Sequence, residues 1–107
     1  MTEREAQSLF AGLLGQLIVW IYQQGWELTF ADFYRPDRLG HMANSLHYER
    51  LAADMNLFVK GEWMESDCVE WQQIGGYWEA MNPLCRWGGR FPKADENHFS
   101  IEWQGRA

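Results

Sequence analysis

From Glu5 to Ile21 the apolar residues Leu9, Phe10, Leu13, Leu14, Leu17, Ile18 and Ile21 recur at steps of one, three and four. That spacing gathers them into one wide stripe and predicts an α-helix packed on a sheet. Thr2 with Glu5 fits a capping box at its start, and Gly25 is a plausible stop. The pattern then changes. Trp26 to Phe33 is rich in aromatics, with Leu28, Phe30 and Asp32 alternating with Thr29 and Ala31, which predicts a strand. Arg35-Pro36-Asp37-Arg38-Leu39-Gly40 is turn chemistry, and His41 to Ser45 reads as an exposed loop.

From Leu51 the period becomes two: Leu51, Ala53, Met55, Leu57 and Val59 alternate with Ala52, Asp54, Asn56 and Phe58. This is a strand with Asp54 on its more polar side. Lys60-Gly61-Glu62 predicts a turn and a hairpin return. Asp67 is a candidate cap for a second helix through Val69, Trp71, Ile74, Trp78 and Met81, weakened or bent at Gly75-Gly76 and ended by Asn82-Pro83. Cys85 to Phe91 reads as a glycine-bearing turn beside an aromatic, and Phe99 to Trp103 as a short terminal strand. The expected fold is α+β, with helices on one side of a small, mainly antiparallel sheet.

Composition narrows the picture. A chain of 107 residues is long enough for one core and too short for two, so a single domain over 1–107 is expected. A net charge of −6 argues against nucleic acid as a partner, because that affinity depends on clustered Lys and Arg releasing counterions. The stretch from Phe10 to Ile21 is too short, and too broken by Gly15 and Gln16, to span a bilayer, so no stable membrane insertion is expected. Met1 to Glu5 is not the basic lead of a secretory signal, which predicts synthesis and folding in the cytoplasm. In that compartment Cys68 and Cys85 are most simply two buried thiols.

The candidate chemistry lies in two short polar segments. His47, Asp54 and His98 would supply a zinc ion with two neutral nitrogens and one carboxylate oxygen, leaving the site a single net positive charge. Asp95, three residues before the last of these, is placed to take a proton from water and pass it to a leaving amine. By spacing alone, solvated or capping roles for each residue are the simpler account.

The wider arrangement carries more. Ser45-x-His47 with Ala52-x-Asp54, then Trp87-Gly88-Gly89 and Asp95-x-x-His98-Phe99, resembles the paired motifs of the M15 family of zinc peptidases. That family includes D-alanyl-D-alanine carboxypeptidases and dipeptidases, and phage endolysins that cut between L-alanine and D-glutamate. The resemblance covers about Trp26 to Trp103 and implies a Hedgehog/DD-peptidase-like fold whose open sheet face carries one zinc per chain. It implies His47, Asp54 and His98 as ligands and Asp95 as catalytic acid/base. Arg35 would steady an oxyanion or a substrate carboxylate, with Arg38 as the alternative. Ser45 would hold its loop, and Trp87 would either line the cleft or pack beneath it. The family commonly has glycine at the position of Arg50, so the backbone there is expected to avoid a glycine-only conformation or the loop to differ.

The resemblance implies a peptidoglycan stem peptide as substrate. Small size and the lack of a signal or anchor favour a phage or prophage endolysin, acting as a monomer on the cell wall after release. The alternatives are a carboxypeptidase or dipeptidase of the same family and a non-catalytic zinc-stabilised wall-binding module.

Overall fold

The computed structural model describes residues 1–31 and 46–107. Helix α1 spans Glu3–Gln23. Its start is the expected capping box: the Thr2 hydroxyl accepts from the Glu5 amide at 3.1 Å, and the Glu5 carboxylate accepts from the Thr2 amide at 2.8 Å. Its end uses Gly25 in the left-handed region, φ 86°. The Gly25 amide donates to the Tyr22 carbonyl and the Trp26 amide to that of Ile21, so two carbonyls left over at the helix end are satisfied. The stripe faces inward, burying Phe10, Leu13, Leu14, Leu17 and Ile21.

Strand β1, Glu27–Phe30, is shorter than the expected stretch and largely exposed. β2, Ala52–Val59, is the middle of the sheet. Its alternation holds: Ala53, Met55 and Leu57 are fully buried, while Asp54, Asn56 and Phe58 are half-buried on the other side. Lys60 and Gly61, at φ 53° and 77°, turn the chain into β3, Glu62–Trp63, as a two-residue hairpin with both central residues left-handed.

Helix α2, Val69–Met81, has Cys68 rather than Asp67 at its N-cap position, and that side chain makes no capping bond. The Asp67 carboxylate instead accepts from the Gln72 side-chain amide at 2.9 and 3.0 Å. Gly75-Gly76 lie within this one continuous helix. Cys85 to Trp87, expected in a turn, form strand β4, and only Gly88–Arg90 is a single 3-10 turn. β5 is His98–Ile101. All strand pairs are antiparallel, in the order β1-β2-β5-β4, with β3 also on β2.

The core lies between the helices and one face of the sheet, so the α+β expectation stands. Trp78 of α2 meets Phe10 of α1 and Phe99 of β5 edge-on at centroid distances of 5.9 and 6.0 Å. Its indole N–H donates to the carbonyls of Arg86 and Ser100, so the ring is buried without stranding a donor. Each such ring contributes on the order of 2–3 kcal/mol by burial. Cys68 and Cys85 are both free thiols, but only Cys85 is buried; burial pushes its pKa up to about 11. Among the described residues no helix is long and apolar enough to cross a membrane.

Candidate metal centre

Three separate elements converge on one point of the sheet. Asp54 sits on β2, on the face away from the core. The antiparallel register sets Asp54 directly opposite His98, the first residue of β5, so both side chains share that face. His47 comes from a 3-10 helix, Leu46–Glu49, which precedes β2.

That short helix is pinned from several sides. Leu46 and Leu51 are fully buried. The Gln7 side chain of α1 donates to the Glu49 carbonyl at 2.8 Å, and Arg106 pairs with the Glu49 carboxylate at 3.1 Å. The helix ends at Arg50, whose φ of 60° is left-handed. The Arg50 amide donates to the His47 carbonyl and the Leu51 amide to that of Leu46, the paired bonds of a glycine-type helix end. Of the two expectations for this position, the first is not met: Arg50 takes the left-handed turn with a side chain in it, at a cost of about 1 kcal/mol.

His47 Nε2 lies 3.4 Å and His98 Nδ1 3.2 Å from Asp54 Oδ1. One candidate donor atom from each of the three residues falls within 4.8 Å of the others. Zinc bonds to nitrogen and oxygen of about 2.0–2.1 Å in a tetrahedron require donors roughly 3.3 Å apart. The two distances from Asp54 match that edge, and the two imidazoles and one carboxylate are ligand types zinc accepts. Both imidazoles are buried, at 2% and 8% exposure, while Asp54 between them and Asn56 farther along the same face are half-buried. His98 Nε2 is buried and makes no hydrogen bond among the described residues. Burial raises the Asp54 pKa, but hydrogen bonds and charge from His47 and His98 outweigh it and hold the carboxyl down to about 2. Asp54 is thus a carboxylate at any pH at which the site would bind a cation.

Asp95 borders a neighbouring cleft of about 240 Å³, together with Asn56, Trp63, Glu65, Trp71 and Glu96. Burial and then the negative charge of Asp54 push the Asp95 pKa up, the direction that suits a group which must hold and release a proton. Trp87 does not line this cleft. It is 1% exposed, packs beneath the loop, and donates its indole N–H to the Glu96 carbonyl at 2.7 Å.

The two glycines after Trp87 are explained by contact. A Cβ on Gly88 would lie 2.2 Å from the Asp95 carbonyl oxygen, and one on Gly89 would lie 2.3 Å from the Trp87 ring. Sequence reasoning missed Gly75, where a Cβ would stand 2.1 Å from the same ring; a glycine pair inside an otherwise periodic helix was its one signal. Arg35, Arg38, His41 and Ser45 lie outside the described residues.

No curated protein matches the chain at a significant level. A peptidase M15 family model described as D-alanyl-D-alanine carboxypeptidase matches residues 40–101, a span that takes in His47, Asp54, Asp95 and His98. The match runs over more than half of the chain, and by it this protein belongs to the M15 peptidases.

Proposed function

We propose that this M15 protein is a zinc-dependent peptidase that hydrolyses an amide of the peptidoglycan stem peptide. We assign it the L-alanyl-D-glutamate bond and the setting of a phage or prophage endolysin, made in the cytoplasm and acting on the wall after release. The convergence of His47, Asp54 and His98 beside Asp95 carries the peptidase reading; the bond and the setting rest on the sequence resemblance. A second reading, a D-alanyl-D-alanine carboxypeptidase, is favoured by the description of the matching family.

His47 Nε2, Asp54 Oδ1 and His98 Nδ1 would hold the metal. Zinc bound there supplies Lewis acidity toward the scissile carbonyl and toward water. The Asp95 carboxylate accepts the proton of the attacking water and returns it to the leaving amine, and its raised pKa favours both transfers. The cleft it borders seats the peptide, with Trp63 and Trp71 providing apolar wall. Arg35, or Arg38 in its place, steadies the developing oxyanion.

The test is digestion of purified peptidoglycan, with the new termini identified by mass spectrometry. New L-alanine C-termini support the endolysin reading, whereas free D-alanine without them establishes the carboxypeptidase instead. Asp95→Ala should abolish turnover by at least about 100-fold while leaving one zinc per chain. A wild type that binds wall and zinc without any turnover would make the protein a non-catalytic module.

A further inference from the structure

The Asp95 carboxylate makes no hydrogen bond among the described residues, so where it stands is decided by its backbone. Four ties hold that backbone around it, one of them the Met55 amide of β2 donating to the Asn97 carbonyl at 2.9 Å. The Asp95 amide donates to the Gly88 carbonyl at 2.9 Å, the His98 amide donates to the Asp95 carbonyl at 3.1 Å, and the Glu96 carbonyl accepts the Trp87 indole N–H at 2.7 Å. Among the described residues, only the bond to the Trp87 indole ties the loop to the core through a side chain.

We propose that Trp87 is a positioning residue for Asp95, and that Gly75 of α2 is the socket which sets the height of its ring. The proposal rests on Asp95 being the proton carrier of the reading above. The indole is 1% exposed, with Gly75 and Gly89 both so close that a methyl group on either would stand 2.1–2.3 Å from ring atoms. Arg90, which pairs with Glu79 of α2, lies over the same ring with its guanidinium 5.5 Å from the centroid. The Glu79 carboxylate also accepts from the Trp87 amide at 3.3 Å. Helix, ring and loop therefore move as one body. A glycine that looks like a weakness in α2 is what lets the helix reach the loop bearing the proton carrier. A displacement of about 1 Å at a reacting group costs roughly 100-fold in rate, so the socket has leverage over turnover without touching substrate.

Three variants test this: Trp87→Phe, Gly75→Ala and the double variant, each assayed for zinc content, thermal midpoint, stem-peptide hydrolysis and amide hydrogen exchange. Trp87→Phe removes the N–H and keeps a ring. It should retain one zinc per chain and a KM within about twofold, lose about 10- to 100-fold in kcat, and speed exchange of the Asp95 and His98 amides. The methyl group of Gly75→Ala would stand 2.1 Å from Cδ2 of the ring, an atom that phenylalanine keeps in nearly the same place, so the double variant should recover neither the midpoint nor kcat. Wild-type kcat in Trp87→Phe would overturn the proposal, as would wild-type exchange of the Asp95 and His98 amides in Gly75→Ala. If Trp87→Phe does not fold, the wild type decides: the Trp87 indole N–H should exchange in step with the Asp95 and His98 amides, and independent rates would overturn the proposal. A zinc-loaded wild type without turnover removes the peptidase reading, and exchange then decides separately: unchanged Asp95 and His98 exchange in the variants means that the ring does not hold the loop.

Discussion

Replacing Gly88 by alanine is the sharpest test of how the site is built. The added Cβ would lie 2.2 Å from the Asp95 carbonyl oxygen and 2.8 Å from His98 Cβ, where ordinary contact begins at 3.4 Å. Neither neighbour can rotate aside. One is a backbone carbonyl already bonded to the His98 amide, and the other is the first carbon of a proposed ligand. The turn and the β5 start must therefore part by roughly 1 Å, and overpacking of this kind costs about 1–3 kcal/mol. At the middle of that range the thermal midpoint falls by roughly 10 °C for a chain of this size. Because the groups pushed apart are those that would bind metal and carry the proton, kcat should fall by about 100-fold as well. Gly15→Ala in α1 is the control, since nothing lies within 4 Å of its added Cβ. There the substitution should stabilise by about 0.5–1 kcal/mol. Thermal unfolding, zinc titration and stem-peptide hydrolysis read the contrast. A Gly88→Ala protein with wild-type midpoint and zinc affinity would refute the contact argument.

Three further outcomes follow from the same geometry. In the metal-free protein, Asp54 is held at about 2 against an ordinary 3.8. Its contribution of about 2 kcal/mol is therefore present above pH 4 and lost as pH falls toward 2; denaturant titrations across that window should show a steeper loss for wild type than for Asp54→Asn, and parallel curves would count against the pairing. Asp95 shifts the other way, so its ionisation costs stability as pH rises through its raised folded pKa. Asp95→Asn should accordingly be more stable than wild type at neutral pH, read by thermal midpoint in chelator, while losing turnover. Removing zinc with a chelator should lower the midpoint, and restoring free zinc to 100 times its Kd should return about 2.7 kcal/mol; a midpoint indifferent to zinc would argue against a bound ion.

What was legible in the chain is what neighbours along the chain decide. The capping box, the apolar stripe and Gly25 specify α1 because each acts within a turn or two of itself, and the period-two alternation of β2 places Asp54 on the polar side without help from elsewhere. The short motifs carry the family for the same reason. The tertiary structure alone decided the rest. The Asp54–His98 pairing is a register between strands 44 residues apart, and no local pattern encodes which residue faces which across a sheet. Cys85 to Trp87 became a strand because β5 offered an edge to pair with. Arg50 took a left-handed turn because burial of Leu46 and Leu51 on either side of it required the chain to reverse there. Gly75 reads as a helix weakness until α2 is laid against Trp87, and then the missing side chain is the room the ring occupies. Periodicity and caps act over a few residues, whereas register, close approach and burial are set by the whole packed chain, and the metal centre depends on the second kind.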